Sequence, residues 1–175
     1  MSLSDKKAVV LVDQVYQEME VWYPYYRLKE AGVQTVLVGP EAGVSYPSKL
    51  GYPAKSEVAA QDISRKDYDC LIIPGGYAPD HMRRCPAIIK LVSEAMSHDK
   101  VVGAICHAGW MLCSAPGALK GKKVTSFFAI KDDMINAGAE WIDSEVVQDG
   151  KLITSRKPDD LPAFMKAILN ELDLS

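Results

Sequence analysis

Apolar positions gather into short, nearly continuous runs at Ala8 to Val12, Thr35 to Val38, Cys70 to Ile73 and Val101 to Ile105. These runs are rich in β-branched residues and lack polar alternation, which predicts strands covered on both faces. Between them the period lengthens to that of a helix. Val21, Tyr25 and Leu28 recur at i, i+4 and i+7, with Gly32 at the stop position. Pro24 is expected in or near the first turn of that helix, where its missing N–H costs least. A second helix is predicted after Pro86, with Ile88, Val92 and Ala95 on one stripe. A last one starts near Asp159 and Asp160, whose carboxylates suit an N-terminus, and carries Phe164, Ile168 and Leu172. Val44 to Val58, with Pro47, Gly51 and Pro53, reads as a loop or short hairpin. Asp149-Gly150 between two short apolar runs is a hairpin signal.

Strands alternating with helices imply a doubly wound α/β sandwich with a mostly parallel central sheet. The 175 residues are expected to form a single domain, with its core over about 6–172. In such a fold the site lies at the carboxyl ends of the strands. The loops after Asp13, Pro74 and Ile105 are therefore the places to look for chemistry.

Composition narrows the function. Hydrophobic residues make up 48% and charged residues 25%, the balance of a folded globular chain. Lys and Arg number 20 against 23 Asp and Glu, so the basic stripe of a nucleic-acid binder is not expected. The cysteines at 70, 85, 106 and 113 form no Cys-x-x-Cys pair and do not resemble a secreted disulfide framework, which suggests a reducing, cytoplasmic setting. Val101 to Leu119 has no charged residue, yet it holds His107, Ser114, Pro116 and three glycines. A buried strand running into a buried helix explains it better than a membrane span.

Familiar sites are missing. The loop Asp13-Gln14-Val15-Tyr16-Gln17 has no glycine to admit a dinucleotide pyrophosphate, and no Gly-x-Ser-x-Gly occurs. The three His (81, 98 and 107) and four Cys show no metal-ligand spacing, so neither metal nor cofactor is expected.

One segment does carry chemistry. Val101 to Ile105 is followed by Cys106, His107, Ala108, Gly109 and Trp110: an apolar strand, a nucleophile, then small residues opening a helix. This is the strand–turn–helix setting of a nucleophile elbow with Cys in the serine position. A helix N-terminus there is expected to favour the thiolate and to offer N–H groups to an oxyanion. Cys70 and Cys113 fit inert core positions better, and nothing near Cys85 would activate it. His107 is the natural base by sequence, His81 lies near the same edge, and His98 ends a charged helix. No His-x-Glu follows, which disfavours a glutamine amidotransferase triad. Gly75 and Gly76 allow a backbone N–H to face a substrate oxygen. Glu18 and Glu20 open the first helix as dipole partners, or as a carboxyl that tunes the thiol.

Taken together, Glu18-Met19-Glu20 with Tyr23-Pro24-Tyr25-Tyr26-Arg27-Leu28, then Pro74-Gly75-Gly76-Tyr77-Ala78-Pro79-Asp80, then Ala104-Ile105-Cys106-His107, resemble the ThiJ/PfpI family of intracellular-protease-like proteins in the Parkinson-disease deglycase superfamily. Asp132 to Ala139 and Asp149-Gly150 with Thr154-Ser155-Arg156 resemble its PfpI-type subgroup, and the likeness runs from about Lys6 to Leu172.

The resemblance implies a flavodoxin-like sandwich, of the class I glutamine amidotransferase-like kind. It implies Cys106 as nucleophile with His107 beside it, and Glu20 as the acid that hydrogen-bonds the cysteine. Asp80, one methylene shorter than the family's usual Glu, matches the acid that reaches the His of a neighbouring subunit. Gln17 stands where some members carry a carboxylate. The backbone amides of Gly76 with His107 or Ala108 would form the oxyanion site. Self-association as a dimer, or a hexamer of dimers, is implied. So is a small carbonyl substrate or a peptide, through peptide hydrolysis, glyoxalase-type conversion of 2-oxoaldehydes or removal of early glycation adducts. The alternative is a non-catalytic redox sensor or stress chaperone acting through oxidation of Cys106.

Overall fold

A computed structural model describes residues 3–98 and 100–175. The chain begins with β1 (Lys7–Leu11), α1 (Glu18–Glu30) and β2 (Gln34–Gly39), then β3 (Ser45–Pro47), β4 (Pro53–Lys55) and β5 (Val58–Ala59). It continues through β6 (Cys70–Ile73), α2 (Ala78–Met82), α3 (Pro86–Ser97), β7 (Val101–Ile105) and α4 (Gly109–Ser114). Last come β8 (Lys123–Val124), α5 (Lys131–Asn136), β9 (Glu140–Trp141), β10 (Val146–Asp149), β11 (Leu152–Ser155) and α6 (Leu161–Leu174).

The central sheet has the order β10-β11-β7-β6-β1-β2-β5 and is parallel throughout except for the β10–β11 hairpin. Its four innermost apolar runs are the ones whose uninterrupted hydrophobicity predicts burial on both faces, and β6 and β7 are buried along their whole lengths. Strand order sets the layers. The β1→α1→β2 crossover moves one way along the sheet and the β6→α3→β7 crossover moves the other. Right-handed connections therefore put α1 and α3 on opposite faces, giving the doubly wound α/β sandwich. α6 packs with α1 and lies close over β7. A Cβ on Gly103 would meet Ile168 Cδ1 at 2.7 Å and the Phe164 ring at 2.9 Å, so the absent side chain lets the helix descend.

The predicted stripes fall where expected in α3 and α6: Ile88, Val92, Ala95, Phe164, Ile168 and Leu172 are all buried. Two expectations needed revision. Pro24 does not lie near the first turn of α1 but at its middle, because the helix starts at Glu18. The start is set by Gln17, whose backbone is extended and whose side chain accepts the Glu20 N–H at 3.1 Å. The expectation that Glu18 and Glu20 open the helix agrees with this start, whereas the expectation for Pro24 does not. The second revision concerns short strands. The 44–58 segment does contain the β3–β4 hairpin, but β5 then joins the edge of the main sheet beside β2, and β8 pairs with β9 separately. Strands of two residues carry no readable period.

No helix among the described residues is long and apolar enough to cross a membrane. All three loops singled out in the sequence converge at one edge of the sheet.

Candidate active site

Cys106 follows the last residue of β7 and adopts φ +63°, a left-handed conformation that L-residues with a Cβ avoid. The strained turn is held from behind by the Phe127 N–H, which donates to the Cys106 carbonyl at 3.2 Å. Strain of this kind, retained at a nucleophile, lifts the side chain off the strand axis. Val15 is the other described non-glycine residue with positive φ, at +60°, and it lies on the facing loop. Its N–H donates to the Pro47 carbonyl at 2.7 Å, and its own carbonyl accepts the Tyr77 N–H at 2.9 Å.

Gly76 completes this interlock. Its φ is +71°, and a Cβ there would sit 2.6 Å from both Gln17 N and Val15 O. Gly76→Ala is therefore expected to destabilise the fold by about 2–4 kcal/mol, lowering the thermal midpoint by roughly 5–15 °C, and to cut activity. Gly121→Ala is the control, since Gly121 has φ +72° but nothing within 4 Å of its added Cβ. Equal midpoints for the two variants in differential scanning fluorimetry would count against the interlock.

Three side chains meet at the elbow. His107 Nδ1 stands 3.3 Å from Cys106 Sγ. The imidazole is fixed by Phe127 and Trp110, whose ring centroids lie 4.9 and 5.2 Å away. Glu20 is fully buried, and its Oε2 accepts the Gly75 N–H at 2.7 Å. Its second oxygen, Oε1, has no partner at hydrogen-bond distance, and the Cys106 side chain is the polar group beside this carboxyl.

Burial pushes the Glu20 carboxyl up to about 8, against the pull of the Gly75 N–H and the Cys106 side chain. Burial, together with the Glu20 charge, pushes the Cys106 thiol up to about 12, while the N–H groups of His107 and Gly76 pull it down. Burial, and then the Lys49 charge, lowers His107 below the usual imidazole value. The expected stabilisation of thiolate by a helix N-terminus thus does not prevail. α4 has only six residues, and desolvation is the larger effect. At neutral pH Glu20 is mostly protonated. With Oε2 committed to Gly75, the proton belongs on Oε1, and a neutral carboxyl removes the repulsion between Glu20 and the sulfur.

The other sequence-derived residues separate. The Gly75 amide is committed to Glu20 and is not free for an oxyanion, whereas those of Gly76 and His107 face the sulfur. Ala108 is fully buried in the turn leading to α4. Asp80 does not line the cleft; it pairs with Arg84 on the outer side of α2, with its side chain 45% exposed. His81 is also outside the cleft, and His98 lies at the end of α3. Cys70 is fully buried, and Cys85 and Cys113 are half-buried away from the elbow. Among the described residues no cluster of three His, Cys, Asp or Glu could hold a metal ion.

Above the thiol is a cleft of about 330 Å³, walled by Tyr77, Phe127 and Pro158 and edged by Gln17, Lys49 and Lys157. Sequence reading missed Lys49, Tyr77, Phe127 and Lys157, which come from four separate loops.

A sequence profile of the DJ-1/PfpI family matches residues 6–171. The chain belongs to the DJ-1/PfpI family. Within it, the chain is 40% identical over 166 residues to the deglycase PfpI of Pyrococcus furiosus, covering 95% of this chain and 99% of that one. It is 37% identical to general stress protein 18 of Bacillus subtilis, covering 96% and 98%. Among solved structures, a two-domain protein of Anabaena variabilis with DJ-1/ThiJ/PfpI-like and ferritin-like domains superposes with a TM-score of 0.93 at 40% identity. That match covers 96% of this chain and 48% of that one. The sandwich is thus the flavodoxin-like one of DJ-1/PfpI proteins.

Proposed function

We propose that the protein is an enzyme in which Cys106 Sγ adds to a substrate carbonyl carbon. The observation that carries this reading is the 3.3 Å approach of Sγ to His107 Nδ1 on a strained elbow, beside a buried carboxyl with a free oxygen. His107, held neutral by burial, accepts the thiol proton at Nδ1. A protonated Glu20 adds no like charge beside the sulfur as negative charge develops there. The S–C bond forms as the carbonyl π pair moves to oxygen, and that oxygen then takes the proton from His107. An aldehyde gives a hemithioacetal. With an amide the His107 proton goes instead to the nitrogen, the C–N bond breaks as the oxyanion re-forms the carbonyl, and the amine leaves a thioester for water to hydrolyse.

The cleft volume suits a small substrate, which favours glyoxalase or deglycase chemistry over peptide hydrolysis. The deglycase name of the Pyrococcus relative supports the same choice. The test is turnover of methylglyoxal and of a fluorogenic peptide by the wild type and by Cys106→Ala. Cys106-dependent loss of methylglyoxal is expected. No turnover of either substrate, with reversible oxidation of Cys106 under peroxide, would replace this reading with that of a redox sensor.

Self-association is part of the proposal. Met19, Tyr23 and Tyr26 stand exposed along α1, an apolar strip that a second copy would cover. The outward-facing Asp80 is then available to a neighbouring subunit. Inactive Asp80→Ala and His107→Ala variants are expected to regain activity when mixed and refolded together. A fully active monomer in sedimentation velocity would remove the shared site.

A further inference from the structure

The β3–β4 hairpin contributes Lys49 to the lining of the cleft. Glu18, expected with Glu20 as a dipole partner or a thiol-tuning carboxyl, clamps this hairpin: its Oε1 accepts from the Ser48 hydroxyl and from the Leu50 N–H, the latter at 2.7 Å. The intervening Lys49 is fixed from a third direction, its N–H donating to the Tyr16 carbonyl at 2.9 Å. The backbone of Lys49 is thus pinned on both sides while its side chain runs along the cleft, with the ammonium 5.9 Å from the Tyr77 ring centroid.

Lys49 forms no ion pair among the described residues, whereas Lys157 across the cleft is paired with Asp159 at 3.0 Å. Next to it Gln17 offers a second donor. Its Oε1 is committed to the Glu20 N–H, so its amide nitrogen is left with two free N–H groups at the cleft edge. One free ammonium and one amide suit a singly charged carboxylate. A phosphate dianion would call for a denser cradle of N–H donors, which this cleft lacks.

Resting on the carbonyl-addition reading above, we propose that the cleft selects small carbonyl compounds bearing a carboxylate, with Lys49 as the specificity-determining residue and the Gln17 amide as its second donor. Titration supports the sign of the field. Burial keeps Glu20 mostly uncharged at neutral pH and lowers His107 toward its neutral form, so the cations lining the cleft are Lys49 and the Asp159-paired Lys157. The anion whose field reaches Lys49 is Glu18, whose Oε1 is already engaged by Ser48 and Leu50.

The test uses two alkylating probes of nearly equal size, iodoacetate and iodoacetamide, with labelling of the Cys106 peptide followed by mass spectrometry. The readout is the ratio of the two rates. It is expected to fall roughly threefold to tenfold in Lys49→Gln and to survive in Lys49→Arg, the scale of one partly solvated charge contact. Lys55→Gln makes the same change in net charge on the exposed strand of the same hairpin, and its ratio is expected to match the wild type. An unchanged ratio in Lys49→Gln, or an equal fall in Lys55→Gln, overturns the proposal. Alkylation needs only the thiol, so the ratio is read whether or not methylglyoxal is turned over, and failure of Lys49 is separable from failure of the enzymatic reading.

Discussion

Cys106→Ala is expected to lose carbonyl turnover by roughly 10³-fold or more in kcat/KM, with the thermal midpoint close to that of the wild type. The size follows from the kind of step removed. Without Sγ no covalent adduct forms, and His107 has nothing to deprotonate. Stability is spared because alanine keeps the Cβ at φ +63° and removes only a sulfur that is 8% exposed as a residue. Cys106→Ser should be nearly as inactive, since a hydroxyl gives up its proton far less readily than a thiol in the same desolvated site. Assays with both variants, each checked for an unchanged midpoint, decide the matter. Residual activity within tenfold of the wild type would place the chemistry elsewhere.

Glu20→Gln is expected to change how stability depends on pH. In the folded chain the carboxyl titrates at about 8, against an ordinary 4.5. Below pH 4.5 both folded and unfolded states hold the proton and there is no penalty. Between 4.5 and 8 the unfolded chain ionises while the folded one does not, so stability declines, and above 8 the loss is complete. The total is on the order of 5 kcal/mol at most, from roughly 3.5 pH units at about 1.4 kcal/mol each. Glutamine keeps an oxygen for the Gly75 N–H and fills the same buried position without ever ionising. Urea unfolding at pH 5, 7 and 9 should show the variant gaining on the wild type steadily as pH rises. Parallel profiles would mean that Glu20 is charged in the folded protein and that the proton on Oε1 is absent.

The parts of the molecule that sequence made legible are those written by local pattern. Long apolar runs named β1, β2, β6 and β7, and a run ending in Cys106 followed by small residues named the elbow. Gly75 and Gly76 stand out in the sequence as a pair after a strand, but their division of labour is not written there. Which amide serves Glu20 and which faces the sulfur depends on the Gln17 loop docking against them. Lys49 was invisible for a related reason. A lysine in a Pro- and Gly-rich hairpin looks solvated, and only the Glu18 clamp turns it toward the cleft. A proline near the first turn is incompatible with Glu18 opening the same helix, and the structure keeps the Glu18 start and carries Pro24 at mid-helix. The elevated thiol was equally hidden, since helix dipoles can be anticipated from sequence order but desolvation cannot.

The hydrogen bond between Glu20 and Gly75 spans 55 positions of sequence, and Cys106 lies further along still. None of the three can form the site with its near neighbours in the chain. A polypeptide during synthesis therefore carries Cys106 as an ordinary, untuned thiol until β1, β6 and β7 have all paired, because contacts of such long separation are the slow ones to close. The buried thiol with its carboxyl neighbour and its oxyanion amides exists only once the sheet is complete, and a misassembled or truncated chain would carry the thiol without them.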